Sequence, residues 1–393
     1  MDKCLFCDRD LDPGSEEHIF LSALGGRLAT RKATCLVCNN AFANEETGKV
    51  DDALAKGFEE IRNGLKIWSG RNKAPPTLLR AAKLDVGLEL DLAPGFVPVA
   101  RPGKVPREMV YGVEQQLSAN SQANAEQMLS ILAKRGASVE VLSAIRVQEK
   151  APMVHRQISF DGPKVWRCAA KSAVVGCVVL FGNGQARKLL SGDLLKAIRY
   201  GEPAINRFAG WDFVNEWPKI NSLTPHDKTP YAQSSGFEHV LIVADVGDKW
   251  IAYISLFGGW RLSLALGPSS GLPTRGFALN PRSAKPARFI VEATAPTFYS
   301  ERREDSFQTE HAHVRAGIQR EFDRALAQWS IEAREDYAED LVRELQETVA
   351  QAGEDEAQRI LAVSSFAQKL ACIELGDSWE TDLKTLFADD KDP

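Results

Sequence analysis

The sequence predicts an α+β protein: a small N-terminal finger closed by cysteines, a central α+β domain with an antiparallel meander, and a set of C-terminal helices. Three observations carry this. Two Cys-x-x-Cys pairs, Cys4 to Cys7 and Cys35 to Cys38, are separated by 27 residues. Three apolar runs, 239–246, 250–257 and 260–266, are joined by Gly247-Asp248-Lys249 and Gly258-Gly259, the punctuation of strands that turn back on themselves. Beyond residue 301, Phe322, Leu326, Trp329, Leu341 and Leu345 mark amphipathic helices among Glu, Asp and Arg.

A chain of 393 residues exceeds one core of usual size, so the expected parts are 1–60, 61–300 and 301–393. In the finger, residues 17–22 form a first strand, Leu24-Gly25-Gly26 the hairpin turn, and the chain from Cys38 onward a helix. Val50, Leu54, Phe58 and Ile61 extend that helix with one apolar face, and the segment from Ser69 to Pro76 breaks it. In the second part, residues 84–90 alternate as a strand does, 98–106 is a Pro-rich connection, and 124–135 is helical. Asp161-Gly162-Pro163 opens a helix lined by Trp166, Ala169, Ala170, Val174, Cys177 and Val178, and Gly182-Asn183-Gly184 ends it. The meander follows, and 287–292 is one further strand.

The four N-terminal thiols have the spacing of a closed, tetrahedral, structural Zn²⁺ site, which holds together a stretch too short to bury a core of its own. The hooks bracket Glu17-His18-Ile19, and Asn39-Asn40 follow the last cysteine. Together with Leu24-Gly25-Gly26, this pattern resembles the HNH, or His-Me finger, endonucleases, and most closely the fifth HNH family. The resemblance covers about the first fifty residues. It implies a ββα-metal finger in which His18 is the general base and Glu17 and Asn39 are ligands of a catalytic cation. Hard oxygen ligands suit Mg²⁺ or Mn²⁺, and a neutral imidazole suits deprotonation of water near neutral pH. Where many members carry His or Lys a turn into the closing helix, this chain has Phe42, Asn44, Glu45 and Glu46, so the resemblance names no third ligand.

Arg27, Arg31 and Lys32, near the hairpin, are the candidate phosphate contacts, with Arg71 and Lys73 as further ones; the expected partner is DNA, double-stranded. Charge is unevenly spread. Residues 301–393 hold 11 Lys and Arg against 23 Asp and Glu, which leaves 37 against 30 upstream. The acidic helices can mask a basic groove, face a regulatory partner or a second copy, or be plain solvated surface. Trp211, Trp217, Trp250 and Trp260 are either core or a base-stacking platform.

No apolar run approaches the roughly 20 residues needed to span a bilayer, so no membrane is expected. Met1-Asp2-Lys3-Cys4 lacks a secretory pattern, and seven cysteines, with Cys168, Cys177 and Cys372 single, argue for reduced surroundings; the expectation is cytoplasmic. Two functions stay open. One is a metal-dependent HNH endonuclease cutting DNA, which the resemblance links to prokaryotic restriction or anti-phage defence. The other is a non-catalytic module that keeps the zinc fold to bind nucleic acid or protein.

Overall fold

Two short strands open the finger. β1 (Glu17–His18) pairs antiparallel with β2 (Ala29–Thr30), Glu17 facing Thr30 and His18 facing Ala29. The strand expected over 17–22 is therefore shorter, because Ser22–Leu24 winds into a 3-10 turn that ends at Gly25 in the left-handed region, φ 85°. The computed structural model describes residues 2–43, 49–84, 87–105, 117–135, 160–213, 224–225, 236–283, 288–292 and 311–375.

The single helix expected after Cys38 is three: α1 (Leu36–Ala43), α2 (Val50–Gly57) and α3 (Glu59–Gly64). Val50, Leu54, Phe58 and Ile61 are all buried, as their spacing implies. Two backbone breaks divide the run: Lys49 is left-handed at φ 48°, and Phe58, at φ −113° and ψ 19°, lies outside helical geometry. Periodicity reports which face is buried, and it does not report such breaks.

β3 (Leu78–Lys83), β4 (Glu89–Ala93) and β5 (Val97–Ala100) form a three-stranded antiparallel sheet. Of residues 84–90, which alternate like a strand, Glu89 and Leu90 begin β4, and Leu84, Gly87 and Leu88 belong to the turn before it. Gly87 at φ 85° donates its N–H to Leu84 O at 2.8 Å, and Leu84 N–H reaches Leu88 O at 2.8 Å. β5 occupies part of the expected Pro-rich connection. α4 (Gln122–Lys134) starts at Ser121, whose Oγ accepts the Asn124 N–H.

α5 (Gly162–Phe181) starts where the sequence places it, with the Asp161 carboxylate accepting the Lys164 N–H and Pro in its first turn. α6 (Asn183–Leu189) and α7 (Gly192–Tyr200) follow. A second sheet takes β6 (Ala209–Trp211), β7 (Thr224–Pro225), β8 (His239–Val246), β9 (Lys249–Leu256), β10 (Trp260–Pro268), β11 (Arg275–Leu279) and β12 (Arg288–Glu292) in the order β6-β10-β9-β8-β11-β12-β7. The expected meander, β8 to β10, is its centre, and every pairing in it is antiparallel. β6 and β11 are short and carry Gly210 and Gly276, which hid them from a reading based on β-rich runs.

α5 is apolar nearly all round because both flanks are covered. β1 and α2 pack on it from the finger, and β8, β9 and β10 from the sheet. At Gly176 a Cβ would stand 2.2 Å from Leu241 Cδ2, so a larger residue there would have to displace the Leu241 side chain between helix and sheet. Phe58 meets Phe257 and Trp260 at ring distances of 5.2 Å, and Trp260 meets Phe322 at 5.3 Å. Trp250 and Trp260 are thus core, and Trp217 lies outside the described residues.

Residues 1–323 form one compact unit and 324–393 another. α8 (His311–Ala352) begins in the first; α9 (Glu356–Leu375) lies in the second, where Lys369 Nζ reaches Glu344 Oε1 at 2.6 Å. Among the described residues no helix is long and apolar enough to cross a membrane.

Candidate active site

The four cysteine sulfurs lie within 4.8 Å of one another, and Cys7 Sγ is 3.5 Å from Cys35 Sγ. Tetrahedral zinc with bonds of about 2.3 Å needs sulfurs roughly 3.8 Å apart, so the cluster can hold a metal ion such as zinc with little movement. Its protonation chemistry agrees. The hydrogen bond with Cys38 chiefly brings the Cys4 thiol down to about 5, and the same bond pushes Cys38 well up; burial pushes Cys7 up as well.

The two hooks are tied by Leu5 N–H to Ala33 O at 3.0 Å. From outside, Asn183 Nδ2 donates to Lys3 O at 2.9 Å and to Lys32 O at 2.6 Å, and Arg187 donates to Cys4 O at 2.9 Å and pairs with Asp8. α6 therefore clamps the four-cysteine cluster to the central domain.

Beside the clip, Asn39 Nδ2 donates to Glu16 O at 3.1 Å. Asn39 is in the first turn of α1 and Glu16 directly precedes β1, so this bond joins the residue after the last cysteine to the strand of Glu17 and His18. The three residues singled out from the sequence are thereby brought to one locality. Asn39 Oδ1 carries no hydrogen bond among the described residues.

His18 is half-buried, and burial, followed by the Arg71 charge, pulls its imidazole below the ordinary histidine range. It is accordingly neutral at neutral pH. Arg71 itself is exposed and close enough to bias both His18 and Glu17.

Glu17 is 4% exposed, and its Oε1 accepts from Lys171 Nζ at 2.9 Å. Lys171, fully buried on α5, also pairs with Asp51 Oδ1 at 2.5 Å, and Asp51 sits in the first turn of α2. Burial alone would pull Lys171 down, but the Asp51 and Glu17 carboxylates outweigh it and hold the ammonium above its usual range. Burial, and then Asp51, hold the Glu17 carboxyl above its own range against the pull of Lys171. Two carboxylates share one ammonium. Glu17 Oε2 is buried and accepts no hydrogen bond among the described residues.

The sequence reading gave Lys171 and Asp51 no role in the site. One signal was present: Lys171 is a lone charge in the apolar stretch from Ala169 to Leu180, where a lysine stays only if paired. Cys168 and Cys177 are buried as small apolar residues, with Cys168 Sγ 3.8 Å from Asp51 Oδ1 and its thiol pushed up by burial.

Of the basic residues near the hairpin, Arg27 donates to Ser283 O at 2.6 Å and so pins the turn to the segment after β11. Arg31 and Lys32 are exposed. The turn has two more restraints. Leu24 O accepts from His239 Nε2 at 2.9 Å, and Gly70 packs so tightly that a Cβ there would stand 1.8 Å from Gly26 O. His239 Nδ1 accepts the Phe257 N–H at 3.1 Å, which assigns the proton to Nε2, and burial brings this imidazole down to about 4.

No family model, curated protein or solved structure matches this chain.

Proposed function

We propose that this protein is a metal-dependent endonuclease of the HNH type that hydrolyses phosphodiester bonds of double-stranded DNA, with a structural zinc on Cys4, Cys7, Cys35 and Cys38. The observation that carries the reading is the Asn39 to Glu16 hydrogen bond, which sets Asn39 against the strand of Glu17 and His18 beside a four-thiol cluster.

Glu17 and Asn39 would hold Mg²⁺ or Mn²⁺. Their donors fit such an ion: a buried carboxylate oxygen without a partner and an amide oxygen without a hydrogen bond. When bound, the ion would offset charge on the scissile phosphate and the leaving oxygen. His18, neutral because it is half-buried beside Arg71, takes the proton from the attacking water. Arg71, exposed next to His18, and Arg31 and Lys32 on the hairpin side supply charge to phosphates.

A second reading has an observation of its own. Lys171 already offers Glu17 a cation, so the finger can be a zinc-held binding module in which Glu17 is purely structural. Incubating the purified protein with supercoiled plasmid and Mg²⁺ or Mn²⁺, alongside His18→Ala, separates the two. The nuclease reading expects nicking by the wild type and its loss in the variant; equal outcomes from both proteins reject it.

A further inference from the structure

The group of Glu17, Lys171 and Asp51 is unusual in its arithmetic. One fully buried ammonium serves two carboxylates, and it stands nearer to Asp51, at 2.5 Å, than to Glu17, at 2.9 Å. With both acids ionised the group carries one net negative charge. That charge has an outlet. Glu17 Oε2 is buried without a hydrogen-bond partner among the described residues, while the Asp51 side chain is 23% exposed and can share its load with water.

A buried carboxylate paired one-to-one with a lysine is neutralised and makes a poor ligand for a divalent ion. A second carboxylate on the same lysine changes this, because the ammonium is divided and Glu17 keeps part of its negative charge. Resting on the nuclease reading, we infer that Asp51 is a positioning residue of the metal site: its carboxylate offsets the Lys171 ammonium beside Glu17, so that a Mg²⁺ or Mn²⁺ ion at the unpartnered Glu17 Oε2 meets one net negative charge. Lys171 in turn holds Glu17 Oε1, which fixes the direction in which Oε2 points. The resemblance to HNH endonucleases supplied no third contact in the closing helix; here Asp51 on α2 cancels the Lys171 charge that α5 brings to Glu17.

Removing the Asp51 charge would leave Glu17 and Lys171 as a neutral pair. For a unit charge separated from a divalent ion by one carboxylate and one ammonium, with partial solvent screening, the expected loss is of order tenfold in metal affinity. Asp51 sits in the first turn of a helix and is partly exposed, so Asn and Ser are both tolerable there.

The test is Mn²⁺ binding to the zinc-loaded full chain, followed by the electron paramagnetic resonance signal of free Mn²⁺. Glu17→Gln should abolish the site. Asp51→Asn, with Asp51→Ser as a second neutral replacement, should weaken binding about tenfold, and Asp51→Glu should restore it. In plasmid cleavage the same loss should fall on the Mn²⁺ concentration for half-maximal rate and not on the rate at saturating Mn²⁺. Wild-type Mn²⁺ affinity in a folded Asp51→Asn or Asp51→Ser protein, even one with a lowered melting temperature, overturns the inference and leaves the nuclease reading intact. Binding that responds as expected in a protein that never nicks plasmid supports the inference and rejects the nuclease reading. Absence of a Glu17-dependent Mn²⁺ site overturns the inference whatever the cleavage result.

Discussion

Replacing Lys171 with Met tests how much of the fold rests on the charge buried in α5. Met keeps most of the apolar stem and removes only the ammonium, which has no solvent exposure and contacts Glu17 at 2.9 Å and Asp51 at 2.5 Å. Breaking one partner out of a buried ion pair costs about 3–5 kcal/mol, because the remaining charge is left uncompensated. Here the cost concentrates on Glu17, whose side chain is 5% exposed, while Asp51 at 23% regains some water. The lower end, about 3 kcal/mol, is therefore expected near neutral pH. Glu17 is already held above its usual range by burial, and losing the ammonium raises it further. A folded state that takes up a proton more readily than the unfolded chain gains stability as pH falls, so the penalty is full above the raised value and shrinks below it. Urea unfolding of zinc-loaded protein, followed by fluorescence of the buried Trp250 and Trp260, should show the gap from wild type shrinking when the pH is taken from neutral to mildly acidic. The double variant Lys171→Met with Glu17→Gln should recover at least half of it. A gap under about 1 kcal/mol, or one of the same size at both pH values, would refute the claim that Lys171 compensates a buried carboxylate.

Cys35→Ser should lose its zinc, measured by metal analysis, and much of the finger's folding free energy, of order 10 kcal/mol in isolated zinc modules and less here because α6 holds the hooks from outside. His18→Ala should keep zinc and fold, checked by metal content and circular dichroism, and cut plasmid nicking by about 10²-fold. His239, brought down to about 4 by burial, binds no proton in the folded state while the unfolded chain protonates near 6.5; its contribution is whole above about 6.5 and is lost as pH falls toward 4, roughly 3 kcal/mol in all. In urea titrations across that window His239→Gln should flatten the pH dependence relative to wild type, and an unchanged slope would remove His239 as the cause.

The sequence by itself determined whatever depends on near neighbours. Two Cys-x-x-Cys hooks make a four-thiol cluster that can hold a metal because each hook presents its pair of sulfurs together. Asp161 and Pro163 start α5 because capping is settled within three residues. The meander from β8 to β10 was legible because its turns are short and its strands consecutive. Local pattern also misled. Residues 84–90 alternate like one strand, but Leu84, Gly87 and Leu88 hold a turn and the strand starts only at Glu89, and the apolar face from Val50 to Ile61 is continuous while its helix is broken at Phe58.

Only the tertiary structure decided what surrounds the candidate site. Lys171 meets Glu17 across 154 positions, and His239 meets the Leu24 carbonyl across 215. No spacing rule links such pairs, since their proximity follows from α5 packing between the finger and the sheet. Lys171 stands out in sequence as one charge in an apolar helix, but the choice of Glu17 and Asp51 as its partners required the fold. The physical reason is that burying a charge is costly alone and tolerable when opposite charges are brought to it, and which charges arrive is fixed by how distant elements pack.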